Sequence, residues 1–392
     1  MSQSKTNIQN GGCPVYKKCG GCQLQNLSYP EQLRFKQAKV IRLLKGFGKV
    51  QPIIGMDKPY HYRNKVQAAF FTNRQGRIIS GVYQSGTHHI VGVDSCQIED
   101  ELSDKIIVAV RKLLPSFRLT TYNEDTGKGF LRHVLVKRGF ATNEVMLVLV
   151  TGTAVFPSRN NFVKEITKQF PQIKTVVQNV NPYRTNLVLG DKQTVLYGKG
   201  TIEDVLCGCR FRISPKSFYQ INPVQTEILY NKAMEFADMS GSETVLDAYC
   251  GIGTIGIVAA KRGAGQVIGV ELNGDAVRDA RANAKANALD NIRFFKGDAG
   301  EFMQAVAEEG EHLDVVMMDP PRAGSSKAFL DALITLAPKK VVYISCNPET
   351  LARDLHYLQQ HSDYRVRKIQ PVDMFPHTAH IECVVKLTKA KE

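Results

Sequence analysis

Apolar residues follow one rhythm over the middle of the chain and another over its last third. Between about residues 62 and 199, short apolar runs alternate with turn residues, a pattern that predicts strands separated by turns. The clearest runs are 66-VQAAFF-71, 134-VLVKR-138, 145-VMLVLV-150 and 174-KTVVQNV-180. We expect them to form an antiparallel sheet with a few helices, that is, a mixed antiparallel α+β domain over residues 57–215.

Strand-like and helical segments alternate after about residue 240. The alternation predicts an α/β fold with a doubly wound, Rossmann-like parallel sheet, which binds ligands at the carboxyl ends of its strands. We assign residues 216–392 to this domain. Residues 275–288 are one of its helices, and its strands are 244-TVLDAY-249, 266-QVIGVE-271, 291-NIRFF-295, 313-LDVVMMD-319 and 340-KVVYIS-345.

Two segments precede these domains. Residues 1–24 contain three cysteines and several glycines. In residues 25–56, the apolar residues Leu33, Val40, Ile41 and Leu44 have a helical spacing, with basic residues between them. We expect this basic helical segment to pack on the catalytic domain.

Positive charge is concentrated in the first 240 residues. They hold 33 Lys and Arg against 17 Asp and Glu, whereas residues 241–392 hold 18 against 20. The imbalance predicts a polyanionic partner whose phosphates the N-terminal half neutralises. A basic solvated surface that only aids solubility is the alternative.

No stretch of the sequence approaches the twenty apolar residues that a membrane-spanning helix needs. Residues 1–12 are polar and lack the apolar core of a signal peptide. We therefore expect a cytoplasmic monomer without a membrane partner. The nine cysteines of such a protein stay reduced and act as ligands, nucleophiles or small core residues.

A glycine-rich segment, 247-DAYCGIGTIGI-257, follows a predicted strand and opens a helix, so a ligand can approach its main-chain N–H groups. Glu271 ends the next strand, where a carboxylate can accept both ribose hydroxyls of an adenosine. Asp298 follows the third strand, where it can meet the adenine amino group. NAD and flavin proteins share such glycines, and a turn that only packs a helix on a sheet is a further alternative. No Walker lysine follows, which disfavours a nucleoside triphosphate.

Two further strand ends carry reactive groups. Asp319 opens 319-DPPRAG-324, whose prolines stiffen the loop, and Cys346 lies in 345-SCNP-348. A cysteine at the rim of a parallel sheet beside a cofactor loop predicts a nucleophile with a lowered pKa, although small buried cysteines are common. Glu382, in 376-PHTAHIECV-384, is the candidate general base, and Asp319 is a candidate for orienting the substrate or the cofactor.

Cys13, Cys19 and Cys22 form a C-x5-C-x2-C pattern, and Cys96 lies far downstream in 94-DSCQIED-100. Four thiolates suit either a [4Fe–4S] cluster or zinc, and the spacing does not choose between them. Unrelated buried thiols are the alternative. We expect any cluster here to fix the N-terminal segment rather than to take part in catalysis.

With these residues in view, the chain resembles the RNA uracil-C5 methyltransferases, specifically their iron–sulfur 23S rRNA branch. The resemblance covers most of residues 210–392. The motifs that carry it, in the expected order, are 217-SFYQIN-222, 247-DAYCGIGT-254, 319-DPPRAG-324, 345-SCNPETLARD-354 and 373-DMFPHTAHIECV-384.

The resemblance implies S-adenosylmethionine as the methyl donor, Cys346 as a nucleophile that adds to carbon 6 of a uracil, and Glu382 as the base that removes the proton from carbon 5. Tyr249 stands where many members have Phe, and Thr254 stands where some have Asn. The residues that it places around the cofactor and the uracil are Gln220, Tyr249, Thr254, Glu271, Asp298 and Asp319.

The resemblance also implies a [4Fe–4S] cluster held by Cys13, Cys19, Cys22 and Cys96. The transfer-RNA branch lacks these cysteines, so we expect 23S rRNA as the partner, methylated at uracil 1939, uracil 747 or both. The chain has only about a dozen residues before Cys13 and no TRAM barrel there, which resembles the uracil-747 enzymes. The alternatives are methylation of transfer-RNA uracil 54, a cytosine-C5 methyltransferase, and a non-catalytic RNA-binding ribosome-assembly factor.

A target uracil has to be flipped out or to lie in a loop before a thiolate can reach its carbon 6. Seven aromatic and basic residues of the central domain are candidates for stacking bases and holding phosphates, although Phe70 and Phe71 also suit the core of the sheet. They are Tyr60, Tyr62, Arg63, Lys65, Phe70, Phe71 and Arg132.

Overall fold

The computed structural model describes residues 12–185 and 187–390, so part of the predicted segment 1–24 lies outside the described residues. The chain forms two compact units. The first unit comprises the described residues up to Gln32, Lys58–Ile202 and Pro376–Ala379, and the second comprises Leu33–Asp57, Glu203–Phe375 and the residues from His380 onward. Within the described part of the chain, no helix is both long enough and apolar enough to cross a membrane.

The first unit is built on a seven-stranded sheet with the order β3-β2-β1-β4-β5-β6-β7. Its strands include the four runs that the sequence predicts. The elements are α1 (Tyr16–Cys19), the first turn of α2 (Tyr29–Leu44), β1 (Lys65–Thr72), β2 (Ile78–Tyr83), β3 (Ile90–Gly92), α3 (Glu101–Ser116), β4 (Leu131–Arg138), β5 (Val145–Thr151), α4 (Arg159–Gln169), β6 (Ile173–Val180) and β7 (Lys192–Tyr197).

The expectation of a purely antiparallel sheet is wrong at one pair. Strands β5 and β6 are parallel, whereas the other neighbouring pairs are antiparallel. Helix α4 lies between β5 and β6 in the chain and carries it back across the sheet. A connection through a helix returns the chain in its original direction, which makes the two strands parallel.

The second unit is built on another seven-stranded sheet, with the order β12-β11-β10-β13-β14-β16-β15. Five of these strands match the predicted ones within a few residues. The elements are β8 (Ile202–Leu206), β9 (Cys209–Ile213), α5 (Pro223–Ala237), β10 (Thr244–Ala248), α6 (Thr254–Lys261), β11 (Gln266–Glu271), α7 (Gly274–Ala286), β12 (Ile292–Lys296), α8 (Ala299–Glu308), β13 (Val315–Met318), α9 (Lys327–Leu336), β14 (Lys340–Ser345), α10 (Pro348–His361), β15 (Tyr364–Val372) and β16 (Glu382–Lys389).

This second sheet is mixed rather than wholly parallel. Strands β10 to β14 are parallel to their neighbours among themselves, but β16 runs antiparallel to both β14 and β15. Only residues 373–381 separate β15 from β16. So short a connection reverses the chain beside itself, because a parallel crossover needs a dozen residues or more.

The unit boundaries follow burial rather than the four predicted segments. Residues 33–57 belong to the second unit, where Val40 and Leu44 of α2 are part of the hydrophobic core. Val50 and Ile54 then form parallel bridges to Ile369 and Val372 on β15. The segment therefore extends the edge of the second sheet.

Candidate active site

Strands β10 to β14 run in one direction, so the residues after them meet at a single edge of the second sheet. Five predicted site residues follow these strands directly or end them. In strand order they are Asp298 after β12, Glu271 on β11, Tyr249 after β10, Asp319 after β13 and Cys346 after β14.

The loop between β10 and α6 is shaped by its glycines. Gly253 has φ +82°, and a Cβ atom there would lie 2.7 Å from the ring of Phe294, so a side chain does not fit. A Cβ at Gly251 would meet nothing within 4 Å, so space is open above the loop at that point. The ring of Tyr249 packs against Phe329 with 5.0 Å between centroids.

Asp247 is the penultimate residue of β10 and is fully buried. Its Oδ2 accepts a hydrogen bond of 2.7 Å from the N–H of Gly256, but its Oδ1 has no partner among the residues that the structure describes. Burial, with Asp319 and Glu271 nearby, raises the pKa of this carboxyl to about 8. A buried carboxyl with one unpaired oxygen is suited to a polar group of a ligand, and a cationic group would favour its ionised form.

Glu271 and Asp298 are both tied to backbone N–H groups. Glu271 accepts from Gly251 at 3.1 Å and from Asn273 at 2.8 Å, one bond to each oxygen. Asp298 caps α8, and its Oδ1 accepts from the N–H groups of the first turn. A carboxylate has about four acceptor positions, so these bonds orient both groups and leave capacity for ligand hydroxyls or amines.

Thr254 begins α6, and its hydroxyl lies 3.0 Å from the hydroxyl of Tyr230 on α5. Tyr230 is buried, and nothing in the sequence distinguished it from a core tyrosine. Gln220 is also buried, two residues before Asn222, which caps α5. The role of Gln220 at the site stays a prediction.

Glu382 is brought to Cys346 by the β14–β16 ladder. Ser345 pairs with Cys383 at the end of that antiparallel ladder, so Cys346 and Glu382 come next where the two segments continue beyond it. The charge of Glu382 acts on the thiol of Cys346, so the two side chains belong to one site. Glu382 is 3% exposed, and Cys346 is half-buried.

Electrostatics tie Cys346, Glu382 and Asp319 together. Burial, and then the charges of Glu382 and Asp319, raise the pKa of Cys346 to about 11, although Arg322 lowers it. The pKa of Glu382 is raised well above its usual value by burial and by Asp319, and burial raises the pKa of Asp319 to about 7. The expectation of a lowered cysteine pKa is therefore wrong, because burial and then the charges of two nearby carboxyls disfavour the thiolate.

The loop at 319–324 is held by α10 as well as by its prolines. Asn347 Nδ2 and Thr350 Oγ1 donate to the carbonyl of Arg322 at 3.2 and 3.3 Å. A Cβ at Gly324, which has φ +78°, would lie 2.6 Å from Arg353 and 2.7 Å from Asp354. The helix that follows Cys346 thus packs directly on the loop that carries Asp319.

Asp354 anchors the end of this loop. It is buried and accepts from the N–H of Ser325 at 2.9 Å and from the hydroxyl of Tyr343 at 2.6 Å. Arg353 donates to the carbonyls of Ala323 and Ser325 at 3.0 and 3.1 Å. The motif 345-SCNPETLARD-354 therefore supplies the groups that fix the Asp319 loop. The residue types in the sequence did not predict this structural role.

A buried ion pair fixes the segment before Glu382. Lys36 on α2 and Asp373 are 2.6 Å apart, and both side chains are 0% exposed. Lys36 also donates to the carbonyl of Phe375 at 3.0 Å, and Asn222 Nδ2 donates to the carbonyl of Met374 at 2.9 Å. These bonds hold residues 373–375 and so limit the freedom of the chain that leads into β16.

The four candidate ligand cysteines all lie in the first unit and line one cavity of about 130 Å³. All four are half-buried free thiols. Within residues 12–185 and 187–390, no three His, Cys, Asp or Glu side chains stand close enough together to hold a metal ion. The structure thus brings the four cysteines around a common space without gathering them at a single point.

The candidate RNA-contact residues divide between core and surface. Tyr62 and Phe70 are buried, and the Tyr62 hydroxyl donates to the carbonyl of Pro376 at 2.9 Å, so both are core residues. Tyr60 is 47% exposed, and Lys65 is exposed. The exposed members are placed to meet an external partner, whereas Tyr62 and Phe70 pack inside the first unit.

Three comparisons bear on this site. Residues 28–390 match the family model described as tRNA (uracil-5-)-methyltransferase. An uncharacterized RNA methyltransferase of Bacillus cereus is 45% identical over 385 residues, which are 97% of this chain and 83% of that protein. Another, from Halalkalibacterium halodurans, is 46% identical over 392 residues, which are 99% of this chain and 85% of the relative.

Among solved structures, the Pyrococcus abyssi tRNA (uracil-54, C5)-methyltransferase in complex with S-adenosyl-L-homocysteine superposes with a TM-score of 0.79 at 32% identity. The match covers 94% of this chain and 86% of the Pyrococcus chain. With a family model across nearly the whole chain and relatives above 40% identity, membership is established. The chain belongs to the tRNA (uracil-5-)-methyltransferase family of S-adenosylmethionine-dependent RNA methyltransferases.

Proposed function

We propose that the protein methylates carbon 5 of a uracil in 23S rRNA through a covalent adduct to Cys346. The observation that carries the proposal is the meeting of Cys346, Glu382 and Asp319 at the carboxyl edge of the second sheet. A nucleophile, a carboxyl base and a second carboxyl there match what addition and elimination at a uracil ring require.

The residues at this edge fit S-adenosylmethionine. The free oxygen of buried Asp247 suits the cationic methionine part, and the open space at Gly251 admits a ligand onto the loop. Glu271 would accept the ribose hydroxyls, Asp298 would meet the adenine, and Tyr249 and Thr254 would line the pocket. When bound, S-adenosylmethionine supplies the electrophilic methyl group that carbon 5 receives.

The reaction balances with the chain's own groups. The Cys346 thiolate forms a bond to carbon 6, and the ring electrons move to the carbon-4 oxygen, which makes carbon 5 nucleophilic. After carbon 5 has gained the methyl group, Glu382 takes the proton from carbon 5. The electron pair of that C–H bond restores the ring double bond as the bond to Cys346 breaks.

The environment of Glu382 suits this task. Burial and the nearby Asp319 raise its pKa, so the ionised form is a stronger base than a solvated carboxylate. The two carboxyls repel each other when both are charged, so the pair loses its protons in two steps and shares a single proton between them. Asp319 is therefore proposed as a residue that orients the substrate and shares a proton with the base.

We further propose a [4Fe–4S] cluster at Cys13, Cys19, Cys22 and Cys96. Four sulfurs on a single zinc ion lie within about 4 Å of one another, given a Zn–S bond of about 2.3 Å. A cluster of several atoms keeps its cysteines farther apart, around a small volume. The four thiols line one cavity of about 130 Å³, and the family resemblance is what favours the cluster over zinc.

The choice of 23S rRNA, at uracil 1939, uracil 747 or both, rests on these cysteines, because the resemblance assigns them to the 23S rRNA branch. Transfer-RNA uracil 54 is the second candidate. It is favoured by the superposition on the Pyrococcus abyssi tRNA (uracil-54, C5)-methyltransferase.

Labelled methyl transfer with nucleotide mapping separates the two candidates. Purified protein would be given labelled S-adenosylmethionine with unmodified 23S rRNA, unmodified transfer RNA, or both, and Cys346→Ala would be run in parallel. We expect 5-methyluridine in 23S rRNA and none with the variant. Label confined to transfer-RNA position 54 would overturn the rRNA assignment, and label from Cys346→Ala would overturn the covalent mechanism.

A further inference from the structure

A cavity of about 400 Å³ opens on the first unit, and none of the four candidate ligand cysteines lines it, although Tyr83 borders both this cavity and theirs. It is lined by the ends of β1, β2 and β4 and by the loop at residues 121–125. Phe71, Tyr83 and Tyr122 contribute aromatic surface. Protein pockets for small ligands measure about 300–1,000 Å³, so a single nucleotide can be accommodated.

Three buried polar atoms in the cavity wall have no hydrogen-bond partner within residues 12–185 and 187–390. They are Nδ1 of His133, the hydroxyl of Tyr122 and Nε of Arg132, whose residues are 5%, 5% and 4% exposed. Buried polar side chains are nearly always hydrogen-bonded, and three neighbouring exceptions in one wall indicate groups that a ligand satisfies.

His133 offers a neutral hydrogen-bonding edge. The hydroxyl of Tyr83 donates to Glu124 at 3.2 Å and lies 3.4 Å from Nε2 of His133, which leaves Nδ1 as the unused ring nitrogen. Burial and the adjacent Arg132 lower the pKa of His133 to about 4, so the ring is neutral at physiological pH. Nδ1 then provides either one N–H or one lone pair.

The wall does not suit a phosphate. The guanidinium of Arg132 stacks over the Tyr122 ring at 4.4 Å, and its NH1 donates to the carbonyls of Asn181 and Tyr183 at 2.7 and 2.6 Å. The carboxylate of Glu124 faces the same cavity and repels an anion. Aromatic faces with neutral donors and acceptors at their edges are the chemistry that recognises a nucleobase.

We propose that this cavity binds an unpaired nucleobase of the RNA substrate, stacked on the aromatic wall and hydrogen-bonded by Tyr122 and His133. The inference rests on the proposed function only in taking RNA as the substrate. It adds a base-recognition site in the first unit, whereas Cys346 and its partners lie in the second. A free nucleotide shares this chemistry, and the experiment distinguishes the two sources.

Tyr122→Phe is the decisive variant, because it removes a hydroxyl that makes no bond within the described protein and keeps the ring. We expect an unchanged or higher melting temperature and RNA binding weakened roughly 2- to 12-fold, the value of one hydrogen bond. Tyr197→Phe is the matched control, because Tyr197 is 45% exposed on β7 and does not line the cavity. Equal RNA affinity for Tyr122→Phe and wild type would overturn the proposal.

The second arm identifies the base. Binding of 23S rRNA fragments with one abasic nucleotide at each unpaired position would be measured for wild type and Tyr122→Phe. We expect one unpaired position, other than the target uracil, at which loss of the base weakens RNA binding by the wild type. At that position, wild type and Tyr122→Phe should bind the abasic RNA with equal affinity. Uniform losses at all positions would overturn the inference.

The third arm tests free nucleotides. Adenosine, guanosine, cytidine and uridine 5′-monophosphates would be titrated into the full protein with and without RNA. Tyr122-dependent nucleotide binding that RNA does not displace would overturn the assignment to RNA. Methyl transfer by the wild-type enzyme to the same fragments reports on the proposed function separately, so either hypothesis can fail alone.

Discussion

Cys346 and Glu382 lie one position beyond the last pair of the β14–β16 ladder, Ser345 and Cys383, although 35 residues separate them in the chain. Because of this placement, Glu382→Gln removes the proposed base without displacing the nucleophile. We expect a covalent protein–RNA adduct to accumulate and methylated product to form at least about 100-fold more slowly, the low end for general-base catalysis. Denaturing gel electrophoresis with labelled RNA detects the adduct, and Cys346→Ala is the adduct-free control. Full-rate turnover without a trapped adduct would place the base elsewhere.

Arg322 is expected to tune the nucleophile. Its charge lowers the pKa of Cys346, so Arg322→Ala raises that pKa and reduces the thiolate fraction at neutral pH. Below the pKa, each unit of increase costs about a factor of ten in thiolate. We expect the single-turnover rate of Arg322→Ala to fall at pH 7 and to recover as the pH rises towards 10, whereas Arg322→Lys stays near wild type. A pH–rate profile identical to that of wild type would contradict this role.

Asp247 is expected to make the ligand-free protein less stable at high pH. Its pKa in the folded state is about 8, above the ordinary value of 3.8. A raised carboxyl pKa contributes stability that is fully present below pH 4 and is lost as the pH rises through 8. Asp247→Asn keeps an oxygen for the Gly256 N–H and does not titrate. The free energy of unfolding, measured by urea denaturation, should rise in the variant relative to wild type by up to about 1.4 kcal/mol for each pH unit between about 4 and 8. A difference in the free energy of unfolding between the two proteins that does not change with pH would argue against a raised pKa for Asp247.

The Lys36–Asp373 pair is expected to be costly to break. Lys36→Met leaves the carboxylate of Asp373 buried without its cation, which should lower the free energy of unfolding by about 3–5 kcal/mol. The double variant Lys36→Met/Asp373→Asn should recover part of that loss, because no buried charge remains. Lys232→Met, which breaks an ion pair whose Glu235 side chain is 52% exposed, should cost no more than about 1 kcal/mol. Urea denaturation of all three tests the comparison, and a loss below 1 kcal/mol for Lys36→Met would contradict it.

The cysteine cavity makes a prediction about metal content. Cys13→Ser and Cys96→Ser should each reduce the iron bound by anaerobically purified protein and its absorbance near 400 nm, because each removes one of four cluster ligands. Cys207→Ser is the matched control, since Cys207 is a half-buried free thiol that does not line this cavity. Unchanged iron in Cys13→Ser and Cys96→Ser would refute the ligand set, and stoichiometric zinc in wild type would replace the cluster with a single ion.

Much of the candidate site could be predicted because it depends on local sequence. Glu271, Asp319 and Cys346 each end a recognisable parallel strand, and parallel strands bring their carboxyl ends to one edge. Gly253 could be recognised in the same way, since a glycine after a strand marks a turn that approaches a ligand or a side chain. The parallel β5–β6 pair was not predicted, because a fully apolar run gives no indication of whether its neighbouring strand is parallel or antiparallel.

The sequence by itself determined most strands of the two sheets, the strand ends that carry the reactive groups and the four candidate ligand cysteines, since these follow from residue periodicity and spacing. Only the tertiary structure decided that Glu382 and Cys346 belong to one site, that the pKa of the thiol is raised rather than lowered, and that Tyr230 reaches Thr254. It also decided that Lys36 is buried against Asp373. The physical reason is that pairing between distant segments and loss of water around a charge depend on neighbours far away in the chain, which no local pattern records.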